Sequence, residues 1–161
     1  MNILISPWAQ KLPVDKADYN PKNFPHWNET VKIIKQKLPD LKIIQLGGGN
    51  SEVLVEGVTE TALNKSPAEL LELAKNCDAW ISVDSFFQHF CAYYKIPNGI
   101  VIFGQSDPNI FGYPFNKNLL KSRSLLREDQ FKHWWHTPNK PEVFVDAETV
   151  AKTLFEVLEV D

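Results

Sequence analysis

Three residues in the stretch "WISVDSFFQHF", residues 80 to 90, can do chemistry inside an otherwise apolar segment. Asp84 offers a carboxylate, Ser85 a hydroxyl and His89 an imidazole, set among Trp80, Ile81, Val83, Phe86, Phe87 and Phe90. Polar groups in such surroundings carry a desolvation cost unless a partner or a ligand satisfies them. Part of the pattern has a local explanation. "SFFQ", residues 85 to 88, reads as a capping box, in which Ser85 caps a helix and Gln88 reaches back to it. That box uses neither Asp84 nor His89. Read structurally, Asp84 is a carboxylate held by backbone N–H groups at a strand end, and His89 is a core histidine one turn into the helix. Read functionally, the two ring the positive end of a helix, where anions bind.

Other polar groups follow the same logic. Gly47, Gly48 and Gly49 allow a ligand close to the backbone, or merely a sharp turn, and Glu52 behind them can accept a sugar hydroxyl. They do not form G-x-G-x-x-G, which argues against a nicotinamide or flavin site. Lys22 in "PKNFPHW" stands just before a helix start, where its ammonium and the helix dipole act together on an anion such as phosphate. "HWWH", residues 133 to 136, puts two histidines on one face of an expected helix, but no third ligand accompanies them, so no metal site is expected. There is no G-x-S-x-G elbow, no phosphate-binding P-loop and no zinc spacing.

The elements that must position these residues are short apolar runs alternating with helical patterns. Strands are expected at 2 to 5, 41 to 46, 79 to 83 and 99 to 103, with a short one at 53 to 58. Trp27, Val31, Ile34 and Leu38 fall at helical spacing; "SPAE", 66 to 69, opens a second helix with its own capping box. Further helices are expected from about Phe86 to Lys95, over 127 to 136, and over 146 to 159 with Val150, Leu154, Val157 and Leu158 inward. Strands alternating with helices, the strands nearly continuously apolar, indicate an α/β fold: a parallel sheet with helices on both faces. Such sheets bind ligands beyond the carboxyl ends of their strands, near a topological switch point. Ser6, the glycine run, Asp84 with Ser85, and the loop of 104 to 118 with Gln105, Ser106 and Asp107 each follow an expected strand.

Composition bounds the class. The 161 residues suit a single domain with a substantial core, residues 1 to 161. The chain is 43% hydrophobic with a formal net charge of -3 and scattered basic residues, which excludes an extended nucleic-acid surface. No apolar run approaches the roughly 20 residues of a membrane span. Cys77 and Cys91 lack metal or redox spacing, so a reducing, cytoplasmic setting is expected.

The motifs, taken in order, resemble glycosyltransferase family 9, the lipopolysaccharide heptosyltransferases and their relatives. The matching pieces are "KNFP" (22 to 25), "GGGNSE" (47 to 52), "DSFFQH" (84 to 89) and "FGQSDPNIFGYP" (103 to 114), spread from about Ile3 to Leu120. The resemblance implies the Rossmann-like, carboxyl-terminal donor-binding half of a GT-B enzyme, holding a nucleotide-diphosphate sugar such as ADP-heptose and needing no metal. It implies that Ser6, Lys22, Ser85, His89 and the helix amino terminus hold the pyrophosphate. Lys22 and His89 would stabilise the leaving group, Asp84 would face the sugar, Glu52 the ribose, and residues 61 to 65 the base. Three departures stand out. Relatives commonly carry glycine where this chain has Phe86. The interval from Ser6 to Lys22 is long, which leaves Lys11 as an alternative for the lysine position. These 161 residues hold no counterpart of the family's acceptor domain, so a second chain or a further domain is expected to supply the acceptor site and its base. Two other functions remain open on the sequence: a stand-alone nucleotide or sugar-phosphate binding module without transferase activity, and a nucleoside hydrolase or deoxyribosyltransferase using Glu52 and Asp84.

Overall fold

The computed structural model describes residues 1–12, 20–48 and 53–160. Six parallel strands form one sheet in the order β3-β2-β1-β4-β5-β6. They are β1 (Asn2–Ser6), β2 (Lys42–Gly47), β3 (Glu60–Leu63), β4 (Ala79–Val83), β5 (Gly99–Phe103) and β6 (Lys117–Leu120). The helices are α1 (Trp27–Lys37), α2 (Pro67–Lys75), α3 (Phe86–Tyr93), the single turn α4 (Pro108–Phe111) and α5 (Ala147–Val157). The strand order reverses between β1 and β4, and the carboxyl ends of those two strands flank the crevice where such sheets bind ligands. Among the described residues no helix is long and apolar enough to cross a membrane.

Alternation along each strand sends side chains to both faces, and both are covered. Ile3, Ile5, Ile43, Ile81, Val83, Ile100 and Ile102 pack under α1 and α5 through Trp27, Val31, Ile34, Val150, Ala151 and Leu154. Leu4, Ile44, Leu46, Trp80, Val101 and Phe103 pack on the other side with Ala74 of α2 and with Phe87, Phe90 and Cys91 of α3. Central strands buried on both faces need the near-continuous apolar runs from which the parallel sheet is expected. Trp80 is accommodated by its register partner Gly99, because a Cβ at that position would overlap the indole. Burial pushes the Cys77 thiol up to about 11 and raises that of Cys91 as well, so both stay protonated at neutral pH.

Three expectations are corrected. Residues 53 to 58 do not form a strand; the third strand lies at Glu60–Leu63. Gln45 of β2 takes over the pairing, donating from Nε2 to the Val53 carbonyl at 2.9 Å and accepting the Val55 N–H at 2.8 Å. Residues 127 to 136 are not helical. Asp129 captures the N–H groups of Phe131 and Lys132, and the Arg127 guanidinium takes the carbonyls of Gln130, Lys132 and His133. The long loop of 104 to 118 contains α4 and leads into β6, an edge strand too polar at its start to be recognised by apolarity.

Candidate functional site

A cavity of about 940 Å³ opens at the carboxyl edge of the sheet. Its floor is built by strand ends: Ser6 at the end of β1, Gly47 and Gly48 at the end of β2, Asn64 after β3, and Asp84 with Ser85 after β4. Neighbouring parallel strands stand about 4.8 Å apart, so the floor from β3 to β4 is roughly 14 Å long. Lys22 and the segment of residues 8 to 12 form one side; Phe86 and Phe87 at the start of α3 form another; Trp134 and Trp135 close the rim.

Asp84 is buried, with a relative exposure of 2%. Its Oδ1 accepts a hydrogen bond from Gln88 Nε2 at 2.6 Å, and Lys22 Nζ lies 3.0 Å from Oδ2. The lysine approaches off the hydrogen-bond direction, so this contact is an ion pair more than a hydrogen bond. The capping box expected at "SFFQ" does not form. Ser85 occupies the N-cap position but its side chain makes no capping bond, and its hydroxyl lies 3.3 Å from that of Ser82. Gln88 is fully buried with its Nε2 committed to the Asp84 carboxylate, and its Oε1, the atom a capping box would set on the Ser85 N–H, has no hydrogen-bond partner. The first turn of α3 therefore faces the cavity without a side-chain acceptor from its own cap, the condition in which a helix start binds anions.

Lys22 is held from several directions. Its N–H donates to Asn20 Oδ1 at 3.0 Å, Asn20 Nδ2 donates to the Gln10 carbonyl, and Asn23 Oδ1 accepts the Ala9 N–H. Its ammonium lies 4.9 Å from the Trp134 ring centroid and 5.8 Å from that of Phe111. Lys11 also lines the cavity.

The other expected residues divide. His89 is exposed, and its Nδ1 lies 2.9 Å from the Tyr113 hydroxyl, beside the cavity and not among the residues lining it. Phe86, at the position where the resembled family carries glycine, is 67% exposed at the cavity mouth. Gln105, Ser106 and Asp107 are buried and are not among the residues lining the cavity; Gln105 and Asp107 bind protein. Asp107 caps α4, forms a bidentate pair with Arg123 at 2.7 and 3.0 Å, and is held below the ordinary carboxylate range chiefly by that guanidinium. Gln105 donates to the Pro138 carbonyl, and Gln130 bridges the Gln105 carbonyl to the Asp107 N–H. These residues fasten the segment that carries the two tryptophans. Glu52 and Gly49 lie outside the described residues. His133 stacks on Trp135 with ring centroids 4.7 Å apart, and His136 is exposed.

Sequence reasoning missed Gln88 as the partner of Asp84, and it missed Trp134, Trp135 and Trp8 as cavity residues. The signal for Gln88 was its i+4 spacing from Asp84, masked by the competing cap pattern.

No protein-family model matches the sequence, and no curated protein matches it. Solved structures do. The chain aligns over 98% of its length with the dodecameric iron-containing heptosyltransferase TibC, from enterotoxigenic E. coli, in complex with ADP-D-β-D-heptose; identity is 14% and the TM-score 0.68. It aligns over 98% of its length with E. coli ADP-heptose LPS heptosyltransferase II at 15% identity and a TM-score of 0.64. It aligns over 97% with E. coli heptosyltransferase WaaC with ADP at 17% and 0.65. The chain covers 45%, 46% and 44% of those proteins, so it spans less than half the length of the structures it matches. Identity this low carries fold and nothing finer. What the chain shares with these heptosyltransferases is the Rossmann-like α/β fold of just under half of each.

Proposed function

We propose that the chain is the carboxyl-terminal-type, donor-binding half of a GT-B glycosyltransferase and holds a nucleotide-diphosphate sugar, with ADP-heptose as the template. One observation carries the reading: the cavity lies at the β1/β4 switch point and combines an open helix start, a lysine, a buried carboxylate and close-approach glycines. Its floor is long enough for a nucleoside diphosphate lying along the strand ends. In this reading the base lies toward Ala62, Asn64 and Lys65, and the diphosphate lies over Gly47, Gly48 and Ser6 toward the start of α3. The sugar then reaches Asp84.

Breaking the bond between the anomeric carbon and the phosphate oxygen leaves negative charge on the diphosphate. Lys22, Ser85 and the N–H groups at the start of α3 meet that charge. Fixed dipoles and cations aimed at a developing charge are a large catalytic term. The reading invokes no metal, and it assigns the acceptor hydroxyl and its base to another domain or a second chain.

Calorimetric titration with ADP, UDP, GDP and CDP and their sugar adducts tests the proposal. One nucleotide series is expected to bind below millimolar, unaffected by EDTA. Lys22→Ala should weaken that binding by about 1 to 3 kcal/mol as a charge-assisted contact is lost. Absence of binding across all four series would rule the reading out.

A further inference from the structure

The segment from Arg127 to Pro138 has neither helix nor strand, yet it is among the most heavily cross-bonded parts of the molecule. The Arg127 guanidinium donates to the carbonyls of Gln130, Lys132 and His133 and to the Thr137 hydroxyl. Its carbon lies 3.6 Å from the Trp134 ring centroid. The segment is tied to the end of β5 through Gln105 and Gln130. Irregular backbone fixed this densely incurs an ordering cost that its exposed surface does not return, so the fixed geometry itself is the feature to explain.

What that geometry does is hold two indoles over the cavity. Trp134 caps the ammonium of Lys22, which places this wall at the Asp84 end and away from Ala62 and Asn64. Trp135 lines the cavity while remaining 43% exposed, and His133 stacks on one face of its ring. A large flat apolar surface left in water at the rim of a polar cavity suits a ligand with an apolar face. The C–H face of a pyranose ring is such a surface, and packing it on an indole removes both from water.

We infer that the strap of residues 127 to 138 is a carbohydrate subsite, in which Trp135 stacks on the sugar ring of the donor and Arg127 is the positioning residue that sets the strap through Trp134. The inference rests on the donor-binding reading above and adds to it the group that recognises the sugar.

The test compares each nucleoside diphosphate with its hexose adduct on the full chain: ADP with ADP-glucose, UDP with UDP-glucose, GDP with GDP-mannose, CDP with CDP-glucose. The wild type is expected to bind the adduct more tightly than the bare diphosphate. Trp135→Ala should leave the diphosphate constant unchanged and weaken the adduct roughly three- to tenfold, while Trp135→Phe keeps most of the adduct's advantage. If the alanine variant melts early, Trp135→Leu preserves bulk without the flat face and should show the same selective loss. Equal weakening of both ligands, no weakening of either, or a wild type that does not favour the adduct overturns the subsite while donor binding stands. A wild type that binds no diphosphate removes the donor-binding reading and the subsite with it.

Discussion

Lys22 and Asp84 lie far apart in the sequence and 3.0 Å apart in the fold, so each is part of the other's environment before any ligand arrives. Both are legible as candidates from residue type and position, Asp84 at a strand end and Lys22 before a helix. Their pairing is not, because it depends on how the loop carrying Lys22 folds back over β4. The pair has a testable consequence. Removing the ammonium leaves a buried carboxylate facing Gln88 alone, so Lys22→Ala should cost about 1 to 3 kcal/mol of stability. In an Asp84→Asn background the same substitution should cost clearly less, with a coupling above about 0.5 kcal/mol. Urea denaturation of the four proteins measures this. Equal costs in both backgrounds would show that Lys22 sits near the carboxylate without being coupled to it.

Two serine-led patterns make the same point for whole elements. "SPAE" and "SFFQ" are equivalent as capping signals, yet only the first forms its box. Ser66 Oγ accepts the Glu69 N–H, the Glu69 carboxylate accepts the Ser66 N–H, and Pro67 opens α2 on the surface. At α3 the Gln88 amide is committed instead to the buried carboxylate of Asp84 four residues earlier, a local contact that the competing cap pattern masks. The same cause separates the expected helix over 127 to 136 from what forms there, since an arginine side chain collects the carbonyls that helical N–H groups would have taken. Ser66→Ala should therefore lower stability by about 1 kcal/mol. Ser85→Ala should cost less than half of that in a thermal or chemical melt, and register in ligand affinity instead. A larger stability loss at Ser85 than at Ser66 would mean that the α3 cap is structural after all.

At the scale of the molecule, the parallel sheet and its two covered faces were legible because central strands must be apolar throughout. The edges were not: β3 and β6 are short and polar, and their place in the sheet comes from pairing with β2 and β5. Acid response follows from the way charge is laid out over this frame. Asp107 is held below the ordinary carboxylate range by Arg123, Asp129 by the Phe131 N–H, and Asp146 by Thr149, whose N–H it accepts as cap of α5. All three sit on elements that rim the sheet: α4, the tryptophan strap and α5. A carboxyl group whose folded value is depressed stabilises the fold fully above its unfolded value near 4, and that contribution disappears as pH falls through the folded value. In that window the unfolded chain binds more protons, so stability must rise with pH. The thermal midpoint should thus be level around neutrality and fall progressively below about pH 4. Asp107→Asn should start from a lower midpoint at pH 7 and fall less steeply on acidification. Arg123 is largely exposed, so added salt should narrow the gap between the variant and the wild type. Melting curves between pH 7 and 2.5 at two salt concentrations decide the matter. A midpoint that rises as pH drops, or an Asp107→Asn curve parallel to the wild type, would remove the rim carboxylates as the cause.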